Sequence, residues 1–239
     1  MTSSDDCEEI VFYVLLWMRR GISVQQFDTY WQDVHGPVCA RLPAQRGYLQ
    51  YHLSAYEGGV FPDIENVRFN VEPDDQCFGL AELVFSSADD RDAWFKASSI
   101  LMDDEYNIFR KAIGYTTSIG HTKTVLNRLS DSQSQDALLG QRFHVLVRKD
   151  DAFPLDDFRS YITDVLMHAI AKRDEVLRLR YHLFDALDYS RPDARGVEHV
   201  EAKGKDYHAA FEISFANGFD RERFLPRMSS QGLCTMVHT

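Results

Sequence analysis

The chain repeats itself, and this repeat limits the folds open to it more than any other feature. Residues of the first half recur at an offset of 131 and then, after a one-residue deletion, at 130. The shared residues include phenylalanine, tyrosine, histidine and glutamate, as in the pairs Phe12 and Phe143, Tyr30 and Tyr161, His52 and His182, and Glu82 and Glu212. Solenoid arrays have periods of roughly 20–50 residues, and this period is far longer. The repeat therefore predicts duplication of a whole small domain.

The repeat also sets the predicted domain boundaries. The first domain covers residues 1–126 and the second, which is the more divergent copy, covers residues 141–239. Between them, residues 127–140 read NRLSDSQSQDALLG, a polar stretch rich in serine and glutamine that is typical of a linker.

Each half reads as β-α-β-β-α-β. Residues 10–18 are short, β-branched and aromatic, which predicts a buried strand. A helix capped by Ser23 follows, and Gly36 and Pro37 predict a kink or break in it next to His35. The later elements are predicted as strands at 46–57, 77–85 and 112–125 and helices at 86–100 and 103–111.

This order predicts an α+β fold of two ferredoxin-like repeats. One such unit covers a single face of its sheet with helices and leaves the other bare. We therefore expect the two repeats to pair their sheets into an intramolecular α/β barrel with an enclosed pocket, which is a natural binding site.

Charge and composition exclude several classes of function. The formal net charge is −11, which disfavours binding to a nucleic-acid backbone. No apolar run approaches the ~20 residues that span a bilayer, and the acidic N-terminus lacks the pattern of a signal peptide. The four cysteines are scattered, and neither HxH nor HExxH occurs, so we predict no metal and no cofactor. A cytoplasmic protein is expected, with a homodimer possible.

The first half carries a recognisable pattern, YWxxVHGPxxARLP followed by YxQxH, which runs from Tyr30 to His52. This pattern resembles the EthD family, which belongs to the dimeric α/β barrel superfamily. The resemblance implies paired ferredoxin-like units. Relatives include ether-degradation accessory proteins, decarboxylases of aromatic acids, polyketide cyclases and small monooxygenases, so it implies no single reaction. The second half has Leu166, Met167 and His168 in place of His35, Gly36 and Pro37.

His35 is the leading candidate for a catalytic base, because a helix break at Pro37 would free backbone groups and direct the imidazole toward a pocket. The alternative is a structural histidine bonded to carbonyls at a helix end. His52 and His182, which recur in both halves, are the other catalytic candidates, and strand alternation is expected to turn His52 into the pocket and to place Leu49, Tyr51 and Leu53 under the helices.

Four residues are predicted to bind substrate. Tyr13 and Glu82 recur as polar positions on strands, the latter as Glu212, and a phenol or a carboxylate beside an imidazole suits proton transfer. Trp31 lies on the apolar helical stripe and Arg41 follows it, where a guanidinium could pair with a substrate carboxylate. Three of them have a plain structural alternative, since Trp31 fits a core, Arg41 a solvated helix end and Glu82 a sheet surface.

The leading functional hypothesis is a cofactor-independent enzyme that encloses a hydrophobic, aromatic small molecule and transfers protons, as a lyase of the decarboxylase type or a cyclase. A second hypothesis is monooxygenation, either cofactor-free or dependent on a haem bound by histidine. The third is a non-enzymatic binding or stress-response barrel, which the divergent second half would allow.

Overall fold

Two four-stranded antiparallel sheets organise the protein in the computed structural model, which describes residues 9–54, 73–129, 141–189 and 193–229. Their contacts define two compact units. Among the described residues, the first unit contains those of 9–54, 73–120 and 185–206, and the second contains those of 121–129, 141–184 and 207–229. Residues 185–206 of the second half therefore belong to the first unit.

The first unit has the ferredoxin-like strand order β2-β3-β1-β4. Its strands are β1 (Ile10–Met18), β2 (Gly47–His52), β3 (Gly79–Phe85) and β4 (Phe109–Thr116). Its helices are α1 (Val24–Tyr30), a π-helical turn (Trp31–His35), α2 (Gly36–Ala40), a 3-10 turn (Pro73–Asp75), α3 (Ala88–Ala97) and α4 (Ser99–Glu105). The helices pack on the sheet face that carries Phe12, Val14, Ala81 and Leu83.

The second unit has the strand order β5-β7-β8-β6. Its strands are β5 (Thr122–Asn127), β6 (Gln141–Val147), β7 (Val176–Leu183) and β8 (Ala209–Phe215). Its helices are α5 (Leu155–Ser160), a second π-helical turn (Tyr161–Leu166), α6 (Met167–Ala171) and α7 (Gly218–Ser229). The helix-facing core includes Phe158, Leu166, Leu179, Phe211 and Ile213.

The predicted α+β class with two ferredoxin-like repeats is confirmed, and the closing of the two sheets into a barrel stays a prediction. The strand predicted at 112–125 is two strands, because the chain turns at Gly120, where φ is +82°. β4 pairs with β1, whereas β5 pairs with β7 of the other sheet. The predicted helix at 103–111 ends at Glu105.

The predicted linker and domain boundary compare with the structure as follows. Residues 130–140 of the predicted linker lie outside the described residues, as does the last strand predicted for the second half. The boundary predicted at residue 126 differs from the limits of the compact units, since β5 joins the second sheet and residues 185–206 join the first unit. None of the described helices is long and apolar enough to cross a membrane.

The first helix does not break at Pro37, which was one of the two outcomes that the sequence predicted. It passes through a π turn, in which the N–H of Gly36 donates to the carbonyl of Trp31 five residues earlier, and Pro37 is the second residue of α2. The second half forms a π turn at the same place without a proline. Pro37 thus fits a wider turn that both copies share, and such turns recur at functional sites.

Gly36 is needed because a side chain packs against it. The amide of Gln50 donates to the Trp31 carbonyl at 3.0 Å and lies over the glycine. A Cβ at position 36 would stand 2.2 Å from Gln50 Nε2 and 2.8 Å from the Trp31 carbonyl oxygen. β2 is thereby tied to the turn that presents His35.

We expect Gly36→Ala to lower the free energy of unfolding by about 1–3 kcal/mol, because the added methyl group forces the π turn away from β2. Gly47→Ala is the matched control, since a Cβ there meets only Val84 at 3.9 Å. The control should change the free energy by less than about 1 kcal/mol. Urea unfolding of both variants measures the difference, and equal stabilities would contradict the role given to Gly36.

Candidate active site

A cavity lies between the helices of the first unit and the helix-facing side of its sheet. Most of its wall is apolar and aromatic, with Phe12, Trp31, Trp94, Phe95 and Phe109 among the residues that line it. The polar residues of its wall are His35, Cys39, Tyr48, Ser98, Glu105 and His199. An apolar chamber with a few polar groups is typical of a small-molecule site.

His35 enters this cavity from the end of the π turn and is bonded to one carboxylate. The residue is only 5% exposed. Its Nδ1 lies 2.9 Å from Asp104 Oδ2, and its ring stands edge-on to Phe109, with 5.3 Å between the ring centroids. No bond of Nε2 to another described residue is found. The ring is thus held at one nitrogen, and the other is left for a ligand.

Asp104 is the centre of a hydrogen-bond network at the C-terminal end of α4. Besides His35, it accepts hydrogen bonds from the Tyr30 hydroxyl and, at 3.2 Å, from Asn107 Nδ2. The bond from His35 is the main cause that lowers the pKa of Asp104 to about 2. The bond to Asp104 in turn raises the pKa of the Tyr30 hydroxyl. Asp104 is therefore a carboxylate at neutral pH and Tyr30 a neutral donor.

This network fixes the tautomer of His35. An ionised carboxylate only accepts hydrogen bonds, so the neutral ring must carry its proton on Nδ1 and donate it to Asp104. The lone pair of Nε2 is then available. A histidine oriented in this way by an acid is equipped to act as a general base.

A second acidic and imidazole pair lines the same cavity. Glu105 comes from α4, and His199 comes from the segment 185–206, with 3.5 Å between His199 Nε2 and Glu105 Oε2. That segment runs along β4, where the backbone of Glu198 exchanges hydrogen bonds with Arg110 and Ala112. The second half of the chain thus supplies one polar residue of the first unit's cavity.

Cys39 is a poor nucleophile although it lines the cavity. Burial raises the pKa of its thiol to about 12, so the thiolate is scarce at neutral pH. Proton transfer therefore fits the wall of this cavity better than thiol chemistry.

Of the residues predicted from the sequence, His35 and Trp31 come together at the cavity. Trp31 is buried and its ring covers Gly79. Arg41 is exposed at the end of α2 and does not line the cavity. Its prediction as a ligand for a substrate carboxylate gains no geometric support.

Tyr13 and Glu82 are register partners on β1 and β3, on the sheet face opposite the cavity. Both are fully buried. The Tyr51 hydroxyl donates to Glu82 at 3.4 Å. Glu82 is thus not a residue of the sheet surface, which was the structural alternative, and neither residue can touch a ligand held under the helices.

The two recurring histidines, His52 and His182, lie on opposite faces of their sheets. His52 shares the helix-facing side with Tyr48, is partly exposed, and bonds Asp28 at 2.7 Å. In the second unit an irregularity near Val176 shifts β7 by one residue. A shift of one residue turns every side chain to the other face, so His182 lies away from the helices, where it pairs with Thr122 at 3.1 Å.

Burial shifts the pKa of His182 well below its usual value. The expectation that Leu49, Tyr51 and Leu53 pack under the helices is wrong for the first half. In the second half, their counterparts Leu179, Tyr181 and Leu183 do face the helices.

Sequence reasoning missed Asp104, Glu105 and His199. The first two lie where the sequence predicted the start of a helix at 103–111, but they end α4 and line or adjoin the cavity. The only local signal was an acidic pair beside Leu101 and Met102, which lie on the same short helix. His199 gave no signal, since its segment returns to the first unit from the other half.

In the described part of the second unit, the residue that aligns with His35 is apolar. Leu166, buried at the end of its π turn, occupies the place of His35 in the repeat. Within the part of the chain that the structure describes, no three His, Cys, Asp or Glu side chains are grouped as metal ligands.

Comparison with known proteins identifies the same region. Residues 19–110 match the model of the EthD domain. Among solved structures, a "putative monooxygenase" from Fusobacterium nucleatum is 7% identical over 98% of this chain and 89% of its own, with a TM-score of 0.53. An anthrone oxidase-like protein is 8% identical over 99% and 89%, also with a TM-score of 0.53. At this identity the likeness concerns the fold. A search of curated proteins found no match.

Proposed function

We propose, from the match of residues 19–110 to the EthD domain, that the cavity of the first unit is the active site of a cofactor-independent enzyme acting on a hydrophobic, aromatic small molecule. The reaction begins with proton transfer to His35. The observation that carries the proposal is the hydrogen bond between His35 and Asp104 at the wall of an apolar cavity.

The mechanism follows from the residues in place. Asp104 holds the proton of His35 on Nδ1, so Nε2 removes a proton from an acidic C–H or O–H of the bound compound. The positive charge that forms on the ring is stabilised by the Asp104 carboxylate, which Tyr30 and Asn107 hold in position. The aromatic walls exclude water and keep the resulting enolate or phenolate from being quenched.

Ligand entry requires a small rearrangement. The free space in the cavity is about 50 Å³, whereas a cavity of about 150 Å³ holds a benzene ring. Phe95 and Met102 are large apolar lining side chains that are partly exposed. We infer that they move aside when a ring enters, and a flexible thioether is suited to this.

The fate of the carbanion distinguishes two reaction classes. Cyclisation or lyase-type cleavage needs only the returned proton. Oxygenation needs dioxygen as co-reactant, and the names of the two similar structures, a monooxygenase and an anthrone oxidase-like protein, favour it as the second candidate. A haem-dependent variant of it would give a Soret band in the purified protein. The predicted homodimer stays a prediction.

Exchange of substrate protons with solvent tests the shared first step. The protein is incubated in D₂O with enolisable aromatic ketones such as 1-tetralone, and deuterium at the α-carbon is followed by NMR. We expect exchange above the buffer rate, with oxygen uptake, measured in parallel, separating oxygenation from proton transfer alone. Absence of exchange with every ketone of the panel would refute the proposed function.

A further inference from the structure

We propose that the cavity selects uncharged aromatic compounds that carry a hydroxyl or carbonyl oxygen, and that it rejects aromatic carboxylates. This inference rests on the proposed function and narrows its substrate class. Two observations carry it: the charges around the cavity, and a buried donor in its wall that lacks an acceptor.

The ionisable groups that line the cavity, among the residues that the structure describes, do not sum to a positive charge. The wall holds the carboxyl group of Glu105 and the imidazoles of His35 and His199, and Asp104 is bonded to His35. With both imidazoles neutral and both acids ionised, these four groups sum to −2. With both imidazoles protonated, they sum to zero. A ligand carboxylate would therefore enter without a net countercharge, and burying an anion in that way is costly.

No lysine or arginine is among the described residues of the wall. Arg91 is a cation in contact with the wall, since its guanidinium lies 5.8 Å from the ring centroid of Phe95, a lining residue. Arg91 is already paired with Asp92 at 3.0 Å. Arg91 is therefore a side chain that could pair with a carboxylate at this cavity, and the experiment must include it.

Trp94 supplies the second observation. Its indole lines the cavity and is 5% exposed, and its Nε1 is buried without a hydrogen-bond partner among the described residues. A buried N–H without an acceptor is costly. Once Phe95 and Met102 move aside, a carbonyl or hydroxyl oxygen on the ligand that reaches this N–H would satisfy it without bringing a charge. Glu105 could accept a hydrogen bond from a ligand hydroxyl.

The consequence for the reaction is specific. A decarboxylase must bind its substrate as an aromatic carboxylate at neutral pH. The cavity is suited instead to phenols and enolisable ketones, which His35 can deprotonate. Of the reactions named above, cyclisation and oxygenation therefore fit the site better than decarboxylation.

Binding of three matched probes to the full chain tests the inference. The probes are 2-naphthol, 2-naphthoate and naphthalene, and titration calorimetry at pH 7 gives their dissociation constants. We expect 2-naphthol to bind at least about tenfold more tightly than 2-naphthoate. Glu105→Gln should reduce this ratio to about threefold or less, because the variant no longer repels the carboxylate.

Two further variants separate the parts of the argument. Trp94→Phe should weaken 2-naphthol about fivefold, the size of one hydrogen bond, and leave naphthalene unchanged. Arg91→Gln should leave all three affinities within twofold, since Arg91 lies outside the proposed recognition.

The inference is overturned if 2-naphthoate binds as tightly as 2-naphthol, if Arg91→Gln abolishes naphthoate binding that was tight in the wild type, or if none of the probes binds. These outcomes concern selection alone. Proton exchange by His35 is measured separately with ketones, so the selectivity can fail while the proposed function stands, and exchange can fail while the selectivity holds.

Discussion

Replacing His35 with alanine should slow α-proton exchange into 1-tetralone by about 10²- to 10⁴-fold, the usual contribution of a positioned general base. The cavity keeps its aromatic walls in this variant. Asp104 cannot replace the imidazole as a base, because its oxygens face Tyr30, Asn107 and the position of the removed ring and do not face the ligand. Deuterium incorporation followed by NMR measures the rate.

Loss of folding must be separated from loss of the base, since His35 is buried and bonded. We expect the alanine variant to lose about 1–3 kcal/mol of unfolding free energy, because the Asp104 carboxylate loses a partner. His35→Gln is the second variant, since its amide can still donate to Asp104 but cannot take up a proton. Circular dichroism and thermal unfolding show whether each variant folds.

His168→Ala provides the matched control. His168 is exposed on α6 of the second unit and bonds only the Thr163 carbonyl among the described residues. Its exchange rate should stay within about twofold of the wild type. If folded His35→Ala and His35→Gln proteins both keep most of the exchange, His35 is not the base.

The fold was predictable because the repeat and the alternation of apolar residues act over many positions. Two copies that share Phe12 and Phe143, or Phe27 and Phe158, must bury equivalent faces, and these pairs do occupy equivalent strands and helices. A register shift of one residue in a strand can still reverse which side chains face the helices. The irregularity near Val176 turns β7 over, so His52 and His182 match in sequence and differ in orientation. Short-range sequence carries no signal for such a shift.

The site was predictable only where its chemistry lay in one motif. The motif His35-Gly36-Pro37 contains the proposed base, and the structure explains its glycine through the close approach of Gln50. Asp104 lies 69 positions from His35 in the sequence. Its inward turn depends on how α4 ends against the π turn. Contacts of that kind depend on packing between elements, which one sequence does not encode locally.

Asp104→Asn should reduce exchange by about 10³- to 10⁴-fold while leaving ligand affinity within a few fold, because it reverses the tautomer of His35. The asparagine oxygen can still accept from Tyr30 and Asn107, which leaves its NH₂ group facing His35 Nδ1. That nitrogen must then accept, and the ring proton moves to Nε2. The ring presents an N–H to the ligand instead of a lone pair, and proton abstraction stops.

The pH of the measurement and a neighbouring residue make the test specific. The depressed pKa of Asp104 means that its charge stabilises the fold above the unfolded value near 3.8 and that this stabilisation fades as the pH falls toward 2. At pH 7 the carboxylate is fully charged. Asp103→Asn is the matched control. Asp103 is exposed on the same helix, and its replacement by asparagine removes the same charge. It should keep the wild-type exchange rate. Equal losses in the two variants would mean that net charge, and not the tautomer of His35, sets the rate.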